Sequence, residues 1–125
     1  MPPASWLPST ALPPPTRRCI ITYSGGAKAC FEKYGDKIWV LDTASDGKAA
    51  RAAWGNWLWD GSAWRYYRYG DCINSLTAGH WGYRDKDFYE NSTYPNAVGG
   101  QGSIIRLWAC TYYCTDTWID VVNDQ

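Results

Sequence analysis

Sixteen residues, WGNWLWDGSAWRYYRY (54–69), hold four tryptophans and three tyrosines. Their rings bury large apolar areas yet carry a polar atom, which suits surfaces that are part apolar and part wet. Such rings could stack on sugars or anchor another protein; the alternative is that they form an ordinary core. Alternation along a strand puts Trp57 and Trp59 on one face and Leu58 on the other. We expect an exposed aromatic face whose candidate partner- or ligand-binding residues are Trp57, Trp59, Trp64, Tyr66 and Tyr69.

Groups that could perform catalysis or hold a metal are sparse. His80 is the only histidine, and a lone histidine in a glycine-flanked loop is more often a polar structural group. The chain has no G-x-S-x-G motif and no C-x-x-C pair. Asp85, Asp87 and Glu90 could supply oxygen ligands to calcium, but Tyr89 and Glu90 break the EF-hand pattern. We therefore predict a protein that is not an enzyme and has no cofactor and no metal site.

The five cysteines predict disulfides, which persist in oxidising compartments such as the extracellular space. We therefore expect a secreted protein. The predicted bridges are Cys30–Cys72, across the sheet, and Cys110–Cys114, around a tight loop. Cys19 would then be free or paired with another chain. In the alternative, Cys19 replaces Cys30 as the partner of Cys72.

Composition excludes several classes of function. Twelve basic and twelve acidic residues are interleaved and give a net charge of zero, so no nucleic-acid footprint is present. No stretch approaches the roughly 20 apolar residues of a membrane-spanning helix. The first 18 residues also lack the apolar segment of a signal peptide, so either a leader is absent from this chain or the start codon is misplaced.

Six of the seven prolines lie within residues 1–15. Proline fixes φ and lacks an N–H, so we predict an extended or disordered arm over residues 1–18 and a single β domain over residues 19–125. The arm would be either a mobile tail or a strap. In a strap, Trp6, Leu7 and Leu12 would dock into the groove of a partner protein.

Gly-Asp and Asp-Gly pairs punctuate the next segment at 35–36, 46–47 and 60–61. Such pairs favour tight hairpin turns and predict a four-stranded meander at about 28–34, 37–45, 48–59 and 62–69. In this register Asp42 faces Arg51, and Trp57 faces Trp64. The run "KIWVLDT" is apolar on both faces and predicts a central strand. The run "KAARAAW" could instead be a helix, and Gly55 could be a bulge.

Later strand signals are a short one near His80–Tyr83 and two closing strands in "SIIRLWACTYYC" and "TWIDVVND". The whole pattern predicts an all-β fold: an antiparallel sandwich or barrel of about seven to eight strands with an extended Pro-rich N-terminal arm.

A spaced pattern runs through these elements. A Cys precedes an aromatic residue, then come x-x-x-G-D-x-x-W-V-x-D-T-x-x-D-G, a Trp, G-x-C and G-x-W. These positions are Cys30, Phe31, Gly35, Asp36, Trp39, Val40, Asp42, Thr43, Asp46, Gly47, Trp54, Gly70, Cys72, Gly79 and Trp81. Over roughly half the chain, the pattern resembles a group of small secreted actinomycete proteins, and this resemblance implies secretion and a β fold.

The layout of an arm followed by a small domain is also similar to the adaptor subunits of Streptomyces umbrella toxin particles. Those adaptors join a ringed stalk protein to lectin-bearing subunits and use an extended N-terminal strap. The expected function is a secreted protein-interaction module that binds other secreted proteins through the aromatic face or the arm. The alternatives are a carbohydrate-binding module that grips a polysaccharide and a small secreted enzyme inhibitor.

Overall fold

The computed structural model describes residues 7–9, 18–23, 25–32, 36–44, 49–59, 62–74, 78–86, 88 and 103–123. These residues form nine β-strands and no helix, which confirms the all-β prediction. The strands are β1 (Leu7–Ser9), β2 (Arg18–Ile21), β3 (Ala27–Glu32), β4 (Lys37–Asp42), β5 (Ala50–Trp59), β6 (Trp64–Asn74), β7 (Trp81–Asp85), β8 (Ser103–Cys110) and β9 (Ile119–Asn123).

The strands form two antiparallel sheets. Sheet A has the order β1-β7-β4-β3-β2 and sheet B the order β6-β5-β8-β9. The sheets pack face to face as a sandwich, one of the two predicted architectures. Strands β3 to β9 correspond to the seven strands that the sequence predicts. Strand β2, and β1 from the Pro-rich segment, are additional.

The core lies between the inner faces of the two sheets. Sheet A contributes Phe31 from β3, whose ring meets that of Phe88 edge-on at 5.9 Å. Sheet B contributes Trp54 from β5, whose ring meets Phe88 at 5.1 Å from the other side. The inward positions that precede these rings on β3 and β5 are alanines, and their small side chains leave room for the three rings.

A second buried cluster lies on the outer face of sheet A. Trp39 of β4 packs against Trp81 and Tyr83 of β7, with ring centroids 6.3 and 4.7 Å apart. The neighbouring β4 side chains, Ile38 and Val40, are buried on the inner face. Strand β4 is therefore covered on both faces, as its apolar sequence predicts.

Buried polar side chains tie the sandwich together. Asn74, at the end of β6, donates hydrogen bonds to the carbonyls of Val40 (2.9 Å) and His80 (3.0 Å), and so links the two sheets. Asp36 accepts hydrogen bonds from the Phe88 amide and from the Asn123 side chain, both at 3.2 Å. Paired in this way, these groups avoid the cost of an unsatisfied buried polar atom.

The predicted hairpin between the second and third strands is wrong. Strand β4 pairs with β3 and β7, whereas β5 pairs with β6 and β8 in the other sheet. Asp42 faces Ala27, and Arg51 faces Ile73 instead of Asp42. Because the chain crosses from sheet A to sheet B here, the inner faces of β4 and β5 meet across the core. The helical alternative for the alanine run is also wrong, since 50–59 is strand.

The predicted Cys30–Cys72 bridge is wrong as well. Cys19 bonds to Cys30, which lies directly opposite it on the neighbouring strand β3, and Cys72 is free and buried. The side chain of Cys30 points to the outer face of sheet A, whereas that of Cys72 points from sheet B into the core. The predicted Cys110–Cys114 bridge is confirmed.

Part of the Pro-rich arm belongs to sheet A. Leu7–Ser9 forms the edge strand β1 and pairs with β7, with Pro8 opposite Gly82. Proline is tolerated on an edge strand because its missing N–H leaves no ladder bond unmade on the outer side. Two of the predicted strap anchors, Trp6 and Leu12, lie outside the described residues.

Candidate binding face

The outer face of sheet B carries seven aromatic rings, which together we call the aromatic face. Strand alternation and the pairing register place five predicted residues there, joined by two from β8 and the segment before β9. Tyr66 and Tyr69 are 55% and 77% exposed, and the predicted tryptophans are half-buried. The members are Trp57, Trp59, Trp64, Tyr66, Tyr69, Trp108 and Trp118.

A β-bulge between β5 and β6 puts these rings on one face. Trp57 pairs with Tyr66, yet the preceding residue of β5 pairs with Arg68, so Tyr67 is the extra residue. Without the bulge, Tyr69 would point to the opposite face from Trp64 and Tyr66. The predicted register is therefore shifted: Trp64 lies opposite Trp59, not Trp57.

Trp57 is the central ring, and its orientation depends on Gly55, two residues earlier on the same face. A β-carbon at Gly55 would lie 2.6 Å from Cζ3 and 2.8 Å from Cη2 of the Trp57 indole. The indole therefore lies along the strand and over the glycine. The absence of a side chain at Gly55 lets the ring lie against the sheet.

Arg106 of β8 lies between two indoles. Its guanidinium carbon is 4.8 Å from the ring centroid of Trp57 and 4.5 Å from that of Trp118. The same group donates two hydrogen bonds to Asp120, at 2.8 and 3.1 Å. The hydrogen bonds with Asp120 raise the pKa of Arg106 above its usual value. Bidentate pairing and stacking on rings are interactions that guanidinium makes and ammonium does not.

The rings meet at steep angles. Trp57 and Tyr66 pack edge to face, with centroids 5.6 Å apart and planes 77° apart. Trp59 and Trp64 do the same at 5.3 Å and 65°. Tyr66 and Tyr69 are more nearly parallel, at 33° and 6.2 Å. The aromatic face is therefore ridged, with one pair of tilted tyrosines at its β6 side.

The charged side chains that point outward from sheet B, among its described residues, form two ion pairs. Arg106 pairs with Asp120 and, further along the sheet, Arg51 pairs with Asp71 at 3.0 Å. Both pairs are partly exposed, so each contributes at most about 1 kcal/mol to stability. The charges of these described outward side chains therefore cancel one another.

Three members of this site are not among the predicted residues: Arg106, Trp108 and Trp118. The alternation of "SIIRLWAC" puts Arg106 and Trp108 on one side of a strand, and this signal could have identified both. The proximity of Arg106 to Trp57 could not have been identified in this way, because β5 and β8 are separated by more than forty residues in the sequence. The candidate Trp6 lies outside the described residues, and the binding roles of the other candidates stay predictions.

His80 and Asp85, the described residues among the groups considered for catalysis or metal binding, lie at the two ends of β7 in sheet A, away from the aromatic face. His80 is exposed just before β7, and its backbone carbonyl accepts a bond from Asn74. Asp85 ends β7, while Asp87 and Glu90 lie outside the described residues. The part of the chain that is described contains no group of three or more His, Cys, Asp or Glu side chains placed to hold a metal ion.

Comparison with known protein families, with curated proteins and with solved structures finds no match. Among the described residues, no helix has the length and apolar character needed to cross a membrane. The two disulfides are compatible with an extracellular protein.

Proposed function

We propose that this protein is a secreted, non-enzymatic interaction module that binds another secreted protein through the aromatic face. The observation that carries this proposal is the exposure of Tyr66, Tyr69 and Trp118 beside the half-buried indoles of one sheet. Trp and Tyr are the residues that most often dominate the binding energy of protein interfaces. A connected set of such rings on one face is typical of an interaction site.

The geometry of the rings favours a protein partner. Edge-to-face packing of Trp57 on Tyr66 and of Trp59 on Trp64 makes a ridged surface, since neighbouring planes differ by 77° and 65°. Side chains of a folded partner can interdigitate with such ridges, as they do in well-packed interface cores. A flat polysaccharide surface would instead need several rings in one plane.

The charges of the aromatic face indicate the chemistry of the contact. Because Arg106 and Arg51 are each paired within the sheet, a partner gains little from charges of its own. We expect an apolar partner patch with a polar rim, and an affinity that changes little with salt, because no net charge is neutralised. The five cysteines, the resemblance to small secreted actinomycete proteins and the layout of an arm followed by a small domain support an adaptor role in a bacterial toxin or surface assembly.

The test is recovery of a stoichiometric partner from the secreted medium of the source cells, followed by direct binding with purified components. Trp57→Ala and Tyr69→Ala should each weaken binding about fivefold or more, as hot-spot truncations do. Ile21→Ala is the matched control, since Ile21 is an exposed apolar residue on the outer face of sheet A. Binding that survives both aromatic substitutions, or the absence of any stoichiometric partner, contradicts the proposal.

Removal of residues 1–18 separates the two predicted docking elements. Loss of binding on truncation alone would assign the interaction to the arm, and loss on aromatic substitution alone would assign it to the face. The truncation also removes β1 and the first residue of β2, so its fold must be checked by thermal unfolding before binding is compared.

A carbohydrate-binding module is the second candidate, and the tyrosine pair on β6 favours it. Tyr66 and Tyr69 are the most exposed rings of the face, and their planes differ by only 33°. Two rings tilted by this angle could each stack on one of two successive sugars. Retention on insoluble polysaccharides that Tyr66→Ala, Trp57→Ala and Trp64→Ala abolish would support this candidate, and no retention on any polysaccharide would remove it.

A further inference from the structure

Two exposed tyrosines, Tyr23 and Tyr113, line a cavity at one end of the sandwich, away from the centre of the aromatic face. The cavity has a volume of about 310 Å³ and lies between the turn that follows β2 and the connection between β8 and β9. This volume is at the lower end of the range for small-ligand sites. Besides the bridged Cys114, its lining residues are Thr22, Tyr23, Thr111, Tyr113, Thr115 and Asp116.

The lining combines ring faces with one carboxylate. Tyr23 is fully exposed and Tyr113 is 85% exposed, so both rings are available to a ligand. Asp116 is exposed beside them, and none of the described lining residues carries a positive charge. The cavity is therefore negatively charged, which favours a cation and disfavours phosphate, sulfate or carboxylate ligands.

The walls of the cavity are held in place before any ligand arrives. The Cys110–Cys114 bridge closes a five-residue loop, in which the Thr111 amide donates to the Tyr113 carbonyl at 3.1 Å. The Thr115 amide donates to the Ala109 carbonyl at 2.9 Å, which ties the loop back to β8. A site that is already ordered loses less conformational entropy when it binds.

The opposite wall of the cavity is ordered by hydrogen bonds to the side chain and the backbone carbonyl of Thr22. Its Oγ1 accepts a hydrogen bond from the Ala27 amide at 3.1 Å, and its carbonyl accepts one from the Gly25 amide at 2.9 Å. Gly25 adopts a φ of +79°, a left-handed conformation that glycine takes without strain. This turn places Tyr23 at the rim of the cavity.

We propose that this cavity binds the guanidinium group of an arginine side chain of a partner protein. A guanidinium stacks on aromatic faces and pairs with carboxylates through a planar set of donors. Tyr23 and Tyr113 supply the ring faces, and Asp116 supplies the carboxylate. The threonine hydroxyls supply additional acceptors. The source of the arginine rests on the proposed function, whereas guanidinium binding itself does not.

The test is a ¹H–¹⁵N NMR titration of the full chain with N-acetyl-arginine methylamide. N-acetyl-citrulline methylamide is the control, because it has nearly the same shape and no charge. The expected result is saturable shifts of the Thr22, Thr111 and Thr115 amides with the arginine compound. The citrulline compound should shift them less and bind more weakly, because it lacks the charge that pairs with Asp116.

Two isosteric variants complete the test. Asp116→Asn removes the cavity's charge and should weaken arginine binding about two- to fivefold, the effect of an exposed ion pair. Asp71→Asn removes a carboxylate charge from sheet B instead and should leave arginine binding unaltered. Equal responses to arginine and citrulline, shifts centred elsewhere, or unchanged binding by Asp116→Asn would overturn the proposal. The titration needs no macromolecular partner, so its failure and that of the proposed function are distinguishable.

Discussion

The indole of Trp57 lies over the α-carbon of Gly55, so close that a β-carbon there would be 2.6 Å from the ring. Contact with the bare backbone holds the central ring of the aromatic face against sheet B. The same ring contacts Arg106, whose guanidinium carbon lies 4.8 Å from its centroid. A glycine in the middle of a strand, normally a weakness, here positions a side chain.

Gly55→Ala should therefore reorient Trp57 and weaken partner binding about fivefold or more. The ring is the end of a flexible side chain and can move, so unfolding free energy should fall by no more than about 1 kcal/mol. Near-UV circular dichroism would report the ring, and calorimetry the binding. Ala53→Ser, at the next outward position of β5, is the control. An unchanged near-UV spectrum in Gly55→Ala would contradict this account of the ring.

Arg106→Lys should keep the positive charge but lose the geometry of the guanidinium. Lysine can reach Asp120 but cannot pair with it through a planar fork or stack between Trp57 and Trp118. We expect a loss of about 0.5–1 kcal/mol of stability, since the pair is partly exposed. The NMR signals of both indole N–H groups should broaden or shift. Arg51→Lys, in the other ion pair of the face, should leave the indole signals unchanged.

Cys72 should be unreactive in the folded protein. Its thiol is buried in the core, and burial raises its pKa, so little of the reactive thiolate is present at neutral pH. Alkylation under native conditions should be slow. After unfolding without reductant, one thiol per chain should react. Modification of two or more cysteines at that stage would contradict the two bridges of the structure.

The raised pKa of Cys72 also predicts a pH dependence of stability. In the unfolded chain the thiol ionises near its ordinary pKa of about 8.5, whereas in the core it stays protonated to higher pH. The folded state then binds more protons, so the free energy of unfolding falls as pH rises above that value. Cys72→Ala should lose this component, and comparing denaturant unfolding of both proteins at pH 7 and about 9.5 would show it. An identical pH dependence would refute the assignment.

The two disulfides should stabilise the fold unequally. Cys19–Cys30 spans 11 residues and Cys110–Cys114 spans 4. The chain-entropy model then gives about 3 and about 2 kcal/mol. Paired alanine substitutions should lower the free energy of unfolding in that order, as measured by urea denaturation. Only removal of Cys110–Cys114 should also abolish the amide shifts that the arginine compound causes at the cavity beside Tyr113, since that bridge orders the loop forming one wall of the cavity.

The local sequence determined where most strands lie and several of the residues of the aromatic face. Strands were predictable at β3 to β9 because apolar and β-branched runs alternate with turn residues. Alternation along each strand put Trp57 with Trp59 and Trp64 with Tyr66, whereas Tyr69 joins them only because of the bulge. The Cys110–Cys114 bridge was predictable because four residues of separation leave each cysteine few other partners within reach.

Only the tertiary structure decided how the strands combine. The sequence between β4 and β5 looks like a hairpin, yet the chain crosses between sheets, because both strands have an apolar face to bury and they bury it against each other. The disulfide partner of Cys30 could not be predicted from the sequence, because it depends on which strand lies beside β3 and which residue lies opposite Cys30. The bulge at Tyr67 and the stacking of Arg106 on Trp57 depend on contacts between distant segments, which local patterns do not encode.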